Sequence, residues 1–388
     1  MKYRHIGILS VGHLVTDINQ GALPAMLPFF IAAYDLSYAA AAGIVFAANM
    51  TSSIVQPLFG HAADRFSKPW LLSAGLMLAG VGLGLSGMFA SYQWILLLAI
   101  VSGIGIAAYH PEAARLVNFA AGEKKGAAMS LFGVGGTVGF AIGPLIITGA
   151  LLQWGLQGTL VLFIPVTIMA IIMTTQFSAF GSLAASRATG GSVASTAEAK
   201  ENWGAFARLT LTIIGRSIIF YGLNTFIPIY WINGLNQSKT AGAMALTIFA
   251  GSGIVGNLAG GSLADKIGRK KVILMGMIGL TLLLPGLIAA KNVIVATLLL
   301  IPIGMMLYGT YSPSIVLGQQ YLPNRVGLSS GVTLGVAVAI GGAAAPLIGK
   351  IADIYGIWYA MVSIACLPIL ASAIALSLPD TQETRASK

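Results

Sequence analysis

Twelve apolar runs, each about 20 residues or longer, dominate this chain, and a helix needs roughly that length to cross a bilayer. They fall at 5–33, 39–62, 70–89, 93–117, 127–152, 156–179, 204–233, 240–263, 271–290, 293–318, 327–350 and 356–378. The longest exceed the hydrocarbon thickness, so they are expected to tilt, kink or protrude. An outer-membrane barrel would instead show strands of about ten residues of alternating character. The expected fold is therefore all-α, with twelve transmembrane helices. Composition agrees: of 388 residues, 57% are hydrophobic and 8% charged, against about 25% charged in a soluble domain. Hydrophobicity of this order excludes disorder. The single cysteine, Cys366, excludes a disulfide scaffold and reads as inert packing within an apolar run.

The first run follows Lys2 and Arg4, as the core of a signal peptide would. It carries His13, Asp17, Asn19 and Gln20, however, and no small-residue cleavage site closes it. It reads as a membrane span.

The net charge of +10 is a topology signal. With the N-terminus inside, seventeen of the twenty-one Lys and Arg residues lie in cytoplasmic segments, among them Arg65, Lys68, Arg115, Lys124, Lys125, Lys266, Arg269 and Arg325. Lys239, Lys291 and Lys350 fall on the opposite side, and Arg216 falls inside a span. This bias predicts cytoplasmic termini and a multi-pass protein of the plasma (bacterial inner) membrane. The basic residues sit in short clusters between apolar runs, so the charge does not call for nucleic acid.

The stretch around Gly181–Asn202 is rich in Ser, Ala, Thr and Gly and reads as a flexible cytoplasmic linker. The expected organisation is a first six-helix half over 1–180, a linker over 181–203 and a second half over 204–388. The halves repeat. Gly60 through Lys68 matches Gly261 through Arg269 at an offset of 201, and Tyr109-His110-Pro111 matches Tyr311-Ser312-Pro313 at 202. Gly143-Pro144 matches Ala345-Pro346 at 202, Gly155 matches Gly356 at 201, and Pro28 matches Pro228 at 200. Parallel repeats of this kind are a transporter architecture.

The Gly60–Asp64–Arg65–Lys68 loop and its copy Gly261–Asp265–Lys266–Arg269 resemble the signature of the major facilitator superfamily. The Gly is expected to let helices approach closely, and the bases to anchor at the cytoplasmic surface, so that the motif gates and braces the bundle. Gly139, Gly143 and Pro144 resemble the core of the motif that the superfamily's antiporters carry in span 5, although Ile147-Thr148 stands where a Gly pair is expected. Three further stretches resemble the fosmidomycin resistance protein family: Gly12-His13 through Asp17 and Gln20, Tyr109 through Arg115, and Gly318 through Gly327. That resemblance runs the length of the chain and implies a proton-driven drug exporter acting on a small molecule, with the lipid bilayer as its surroundings and a monomer as its working form.

Ionisable groups within spans are costly, so each is a functional candidate. Asp17 lies about 20 Å along span 1 at about 1.5 Å per residue, and His13 shares its face four residues earlier. Glu112 and Arg115 are three apart and can pair, while Pro111 removes a backbone donor beside His110. Asp17, His13, Glu112 and His110 are therefore the proton-coupling candidates. Asp17 and Glu112 are expected at different depths, so no direct bond between them is assumed. Arg216 is the one basic residue that must lie deep in the second half, and its fork suits an anionic oxygen. Arg216, Arg115, Gln20, Asn224, Tyr109, Tyr308 and Tyr311 are the substrate-binding candidates. Asn19, Asn49, Gln56, Tyr221, Gln319 and Gln320 are weaker ones, since polar residues in spans usually bond a neighbouring helix.

No metal-ligand spacing, phosphate loop, nucleotide motif or nucleophile–base set appears in the sequence. The chain reads as no enzyme, without cofactor, energised by an ion gradient. An importer or a facilitator is the nearest rival. A receptor or sensor on a transporter fold would carry a sizeable output domain, and the longest segment outside the spans is about 22 residues.

Overall fold

The computed structural model describes residues 2–65, 68–122, 125–185 and 201–379. Most of the expected linker, together with Arg187, Lys200, Arg385 and Lys388, lies outside these residues, and so do the side chains of Gly60, Asp64 and Arg65. Among the described residues every regular element is helical. The first six passes are α1 (Tyr3–Tyr34), α2 (Tyr38–Arg65), α3 (Trp70–Leu85), α4 (Tyr92–Ala121), α5 (Lys125–Trp154) and α6 (Phe163–Thr175), with α7 (Phe177–Ala185) continuing the last. The second set is α8 (Trp203–Ile229), α9 (Lys239–Ile267), α10 (Arg269–Ala289), α11 (Val293–Gly309) with α12 (Tyr311–Tyr321), α13 (Val326–Gly331) with α14 (Ala337–Tyr355), and α15 (Ile357–Leu376).

Nine helical stretches among the described residues are long and apolar enough to cross a membrane. One of them, the 48-residue Ala128–Thr175, holds two passes, α5 and α6. α1 falls outside the nine, in keeping with the polar side chains that the sequence places along it. With it and the α13–α14 pair, which is joined through a π-helical turn at Val332–Val336, the passes number twelve in two sets of six.

By contact density the chain forms two compact units. One is Met1–Leu36 with Gly43–Ser195; the other is Ser37–Ala42 with Thr196–Lys388. The first is built around Ile6, Leu9, Leu72, Leu76, Tyr109, Leu116, Met169 and Phe180. The second centres on Phe206, Leu209, Ile213, Ile273, Leu317 and Tyr321. Within the second unit, both carboxylate oxygens of Asp353 accept amide hydrogens from the first turn of α2, from Tyr38 at 2.6 Å and Ala39 at 3.1 Å. An acid at a helix start satisfies orphan N–H groups and complements the dipole.

Glycine sets how α1 and α5 meet. Gly135, Gly139 and Gly143 are four residues apart, and a Cβ at any of them would strike the backbone at Ser10, Leu14 or Ile18 of α1, which share the same spacing. Two matched rows of small contact points let the backbones touch, the usual solution where lipid gives no hydrophobic drive for association.

Two expectations are corrected. Gly261 faces open space; the close approach in α9 is made by Gly256 and Gly260 against Met305 and Gly309 of α11. The row that faces α11 repeats every four residues and includes Gly260, so its neighbour Gly261 points elsewhere. Cys366 is exposed on α15 and is not interior packing. Trp94, Trp154 and Trp358 are likewise exposed, as belt residues are.

Candidate functional site

Each unit carries a cluster of polar groups that its fold has taken out of water. In the first unit the centre is Asp17, buried on α1. His13, one turn earlier, places Nε2 3.3 Å from Asp17 Oδ2. His110 on α4 places Nε2 3.0 Å from Asp17 Oδ1. The carboxylate thus has one imidazole on each oxygen. The two rings meet edge to face, with centroids 4.9 Å apart.

α5 closes this triad from another side. The carbonyl oxygen of Phe132 lies 2.8 Å from His13 Nδ1, and the Phe132 ring stacks on His13 at 4.1 Å and 22°. Gly136, one turn on, leaves room: a Cβ there would lie 2.6 Å from Asp17 Oδ2 and would strike the His13 ring. Phe132 and Gly136 were not expected from the sequence as site residues. The available signal was the run of glycines before Gly139, which marks a face where something must come close.

Glu112 does not join Asp17. It is fully buried and receives both Arg115 Nε at 3.1 Å and Arg115 Nη2 at 2.9 Å. Arg115 also lies over Phe119, 5.2 Å from its centroid, so this guanidinium is held by its own helix. Tyr109 is buried and donates its hydroxyl to the Leu9 carbonyl at 2.8 Å, tying α4 to α1. Gln20 donates to Asn49 Oδ1 at 3.1 Å, and Asn49 donates to the Val45 carbonyl at 3.0 Å. Tyr109 and Gln20 thus bond across helices, the common fate of polar side chains in spans, while Glu112 and Arg115 pair within α4.

The second unit presents the other cluster. Arg216, Phe220 and Asn224 recur every four residues and so share a face of α8. Arg216 is buried and its Nε has no hydrogen-bond partner. Its guanidinium lies 5.2 Å from the centroid of the Tyr311 ring, a cation–π contact, with Tyr221 and Tyr308 also close by. Tyr308 packs edge-on against Phe220 at 5.4 Å and Phe249 at 5.8 Å. Asn224 Oδ1 and Ser217 Oγ are buried without partners as well, and the Tyr308 hydroxyl lies beside the Asn224 side chain. Among the described residues no carboxylate forms an ion pair with Arg216. Buried polar groups are nearly always paired, so several unpaired ones in one cluster mark a place built to receive a polar ligand.

The loop motif repeated in the second unit pairs its own charges. Arg269 and Asp265 approach to 3.7 Å on the surface, a separation worth little in water.

The Major Facilitator Superfamily profile matches residues 9–333. The chain is 30% identical over 384 residues to the fosmidomycin resistance protein of Escherichia coli (strain K12), covering 97% of this chain and 93% of that protein. It is 31% identical over 388 residues to an uncharacterized MFS-type transporter, YfnC, of Bacillus subtilis (strain 168), with the same coverage of 97% and 93%. Among solved structures, a bacterial homolog of the human lysosomal transporter Spinster superposes with a TM-score of 0.78 at 15% identity, over 96% of this chain and 95% of that one. The xylose transporter XylE of E. coli gives 0.74 at 14% identity, over the whole of both chains. This chain belongs to the Major Facilitator Superfamily. It is a multi-pass membrane transporter of small molecules and not an enzyme.

Proposed function

We propose that this protein is a secondary active transporter that exports a small anionic organic compound, an antibiotic such as fosmidomycin among the possible cargoes, in exchange for protons by alternating access. The observation that carries the reading is Arg216, a buried guanidinium with an unpaired Nε among Tyr311, Tyr308 and Tyr221. An oxyanion there would accept from the Arg216 Nε–H, and the Tyr308 hydroxyl could turn to donate to it. Asp17, flanked by His13 and His110, is the proton-coupling centre in this reading, with Glu112 as a second acid. Arg115, Gln20 and Tyr109 are the further substrate-binding residues proposed, in a secondary role, since each holds a helix contact. Efflux, and with it antibiotic resistance, is supported by the likeness to a fosmidomycin resistance protein over nearly the whole chain. We place the protein as a monomer in the bacterial inner membrane with both termini cytoplasmic, on the Lys and Arg bias.

The test is transport in proteoliposomes under imposed pH gradients, with fosmidomycin and a panel of small carboxylates and phosphonates. Movement of an anion against its own gradient and opposite to the proton gradient is expected. Accumulation in the same direction as proton flow would establish the importer instead, and indifference to the pH gradient would establish a facilitator.

A further inference from the structure

The triad of the first unit has a chemistry that a proton does not exhaust. His13 Nδ1 lies 2.8 Å from a backbone carbonyl, which can only accept. The ring must therefore direct its Nδ1–H to Phe132. In neutral His13 the bare lone pair then belongs to Nε2, and it faces a carboxylate oxygen of Asp17 at 3.3 Å. Two acceptors opposed at that distance call for a cation, either a proton on Nε2 or a metal ion held between them. His110 adds a second imidazole nitrogen at 3.0 Å from the other oxygen.

One donor atom from each residue can be chosen so that all lie within 4.8 Å of one another. Around an ion with bonds of about 2.0–2.2 Å, tetrahedral ligands stand roughly 3.3–3.6 Å apart. Each imidazole is already close to that spacing from one of the two carboxylate oxygens, His13 from Oδ2 at 3.3 Å and His110 from Oδ1 at 3.0 Å. Gathering both on a single oxygen asks donor atoms that now lie within 4.8 Å of one another to close by roughly 1 Å. The surroundings also match. Histidines that bind metal almost always give their other N–H to a carbonyl or carboxylate, and His13 does so to Phe132 while stacked on its ring. Side-chain exposures of 12–18% leave each triad group partly accessible. Two imidazoles and one carboxylate select borderline transition ions; magnesium and calcium prefer all-oxygen shells.

We infer that His13 Nε2, His110 Nε2 and one carboxylate oxygen of Asp17 form a binding site for a divalent transition-metal ion of the zinc class, with water at the fourth position. A bound ion occupies the lone pairs that a coupled proton would use, so it blocks exchange. That consequence rests on the exchange proposed above, whereas the binding does not.

The experiment is isothermal titration of the purified full-length protein, isolated through a tag without histidine, with zinc chloride and in parallel magnesium chloride. One-to-one saturable zinc binding of micromolar Kd is expected, with no response to magnesium. His13→Ala, His110→Ala and Asp17→Asn should each weaken it by about tenfold or more, while His5→Ala and His61→Ala should not. Absence of zinc binding, or binding that survives all three triad substitutions, overturns the site. Should a triad variant fail to fold, zinc K-edge absorption of the unaltered protein decides: two imidazole ligands at about 2.0–2.1 Å uphold the site, and a shell without imidazole overturns it. A pH-gradient assay on the unaltered protein separates the two readings. Zinc binding without proton exchange leaves this site standing and removes the exchanger alone.

Discussion

His110 Nε2 stands 3.0 Å from Asp17 Oδ1, although the two residues are 93 positions apart on different helices. With His13 on the other oxygen, a single buried carboxylate ties α1 to α4 through two titratable rings. A charge removed from water is stable only when paired and hydrogen-bonded, and this arrangement supplies both partners.

Asp17→Asn should therefore abolish accumulation driven by a pH gradient, since the amide keeps the shape and loses the charge. Exchange of labelled for unlabelled substrate at equal concentrations should persist, because it need not release a proton. Both are read in proteoliposomes. If Asp17→Asn still concentrates substrate, Asp17 is not the coupling group.

Gly136 offers a test of how closely α5 fits the triad. Gly136→Ala would set a methyl 2.6 Å from Asp17 Oδ2 and against the His13 ring, whereas Gly133→Ala on the same helix meets open space. Gly139→Ala would strike the Leu14 backbone and no triad side chain. Overpacking costs about 1–3 kcal/mol. Gly136→Ala should lower pH-driven transport several-fold, Gly139→Ala should mainly lower the melting temperature, and Gly133→Ala should match the parent. Equal behaviour of Gly133→Ala and Gly136→Ala in transport would show that the triad tolerates displacement.

Much of this was legible in the sequence, for physical reasons. Run length and the absence of charge specify the spans, and an offset near 201 specifies two sets of six. The His13–Asp17 pairing follows from helical periodicity alone, as does Glu112 with Arg115. What could not be read is which helices face one another. The His110–Asp17 contact joins α1 to α4, and the Phe132 carbonyl that orients His13 is a backbone group any residue could provide. Donors that gather only through such tertiary contacts leave no spacing signature, which is why no metal-ligand pattern is visible along the chain. Gly261 was misread for a related reason: adjacent glycines look alike in sequence, and only packing decides which faces α11.

Glu112 and Arg115 invite a stability measurement. Removing one member of a buried ion pair leaves the other uncompensated, at a cost of about 3–5 kcal/mol, while removing both is often tolerated. Glu112→Gln and Arg115→Gln should each lower the melting temperature in detergent, and the double variant should recover much of the loss. If neither single variant is destabilised and both lose coupled transport, Glu112 and Arg115 act on cargo or proton rather than on the fold of α4.

The prediction with the most direct bearing on cargo concerns Arg216. Its unpaired Nε sits among Tyr311, Tyr308 and Tyr221, on the helix face that also carries Asn224 with its unpaired Oδ1. Binding an anion would gain a charge-assisted hydrogen bond of about 1.5–3 kcal/mol, or about 10- to 150-fold in affinity. Arg216→Lys keeps the charge but loses the planar fork and its stacking on Tyr311, so anion affinity should fall in part. Arg216→Gln removes the charge and should reduce it further. A neutral analogue of the same size should bind both variants about as well as the parent, because it never drew on the guanidinium charge. The measurement is a titration of each purified variant with an anionic ligand and its neutral analogue side by side. Selective loss of the anion assigns Arg216 to the cargo. Equal loss of both ligands would make Arg216 a support for the tyrosine cluster, and the anionic character of the cargo would lose the observation that carries it.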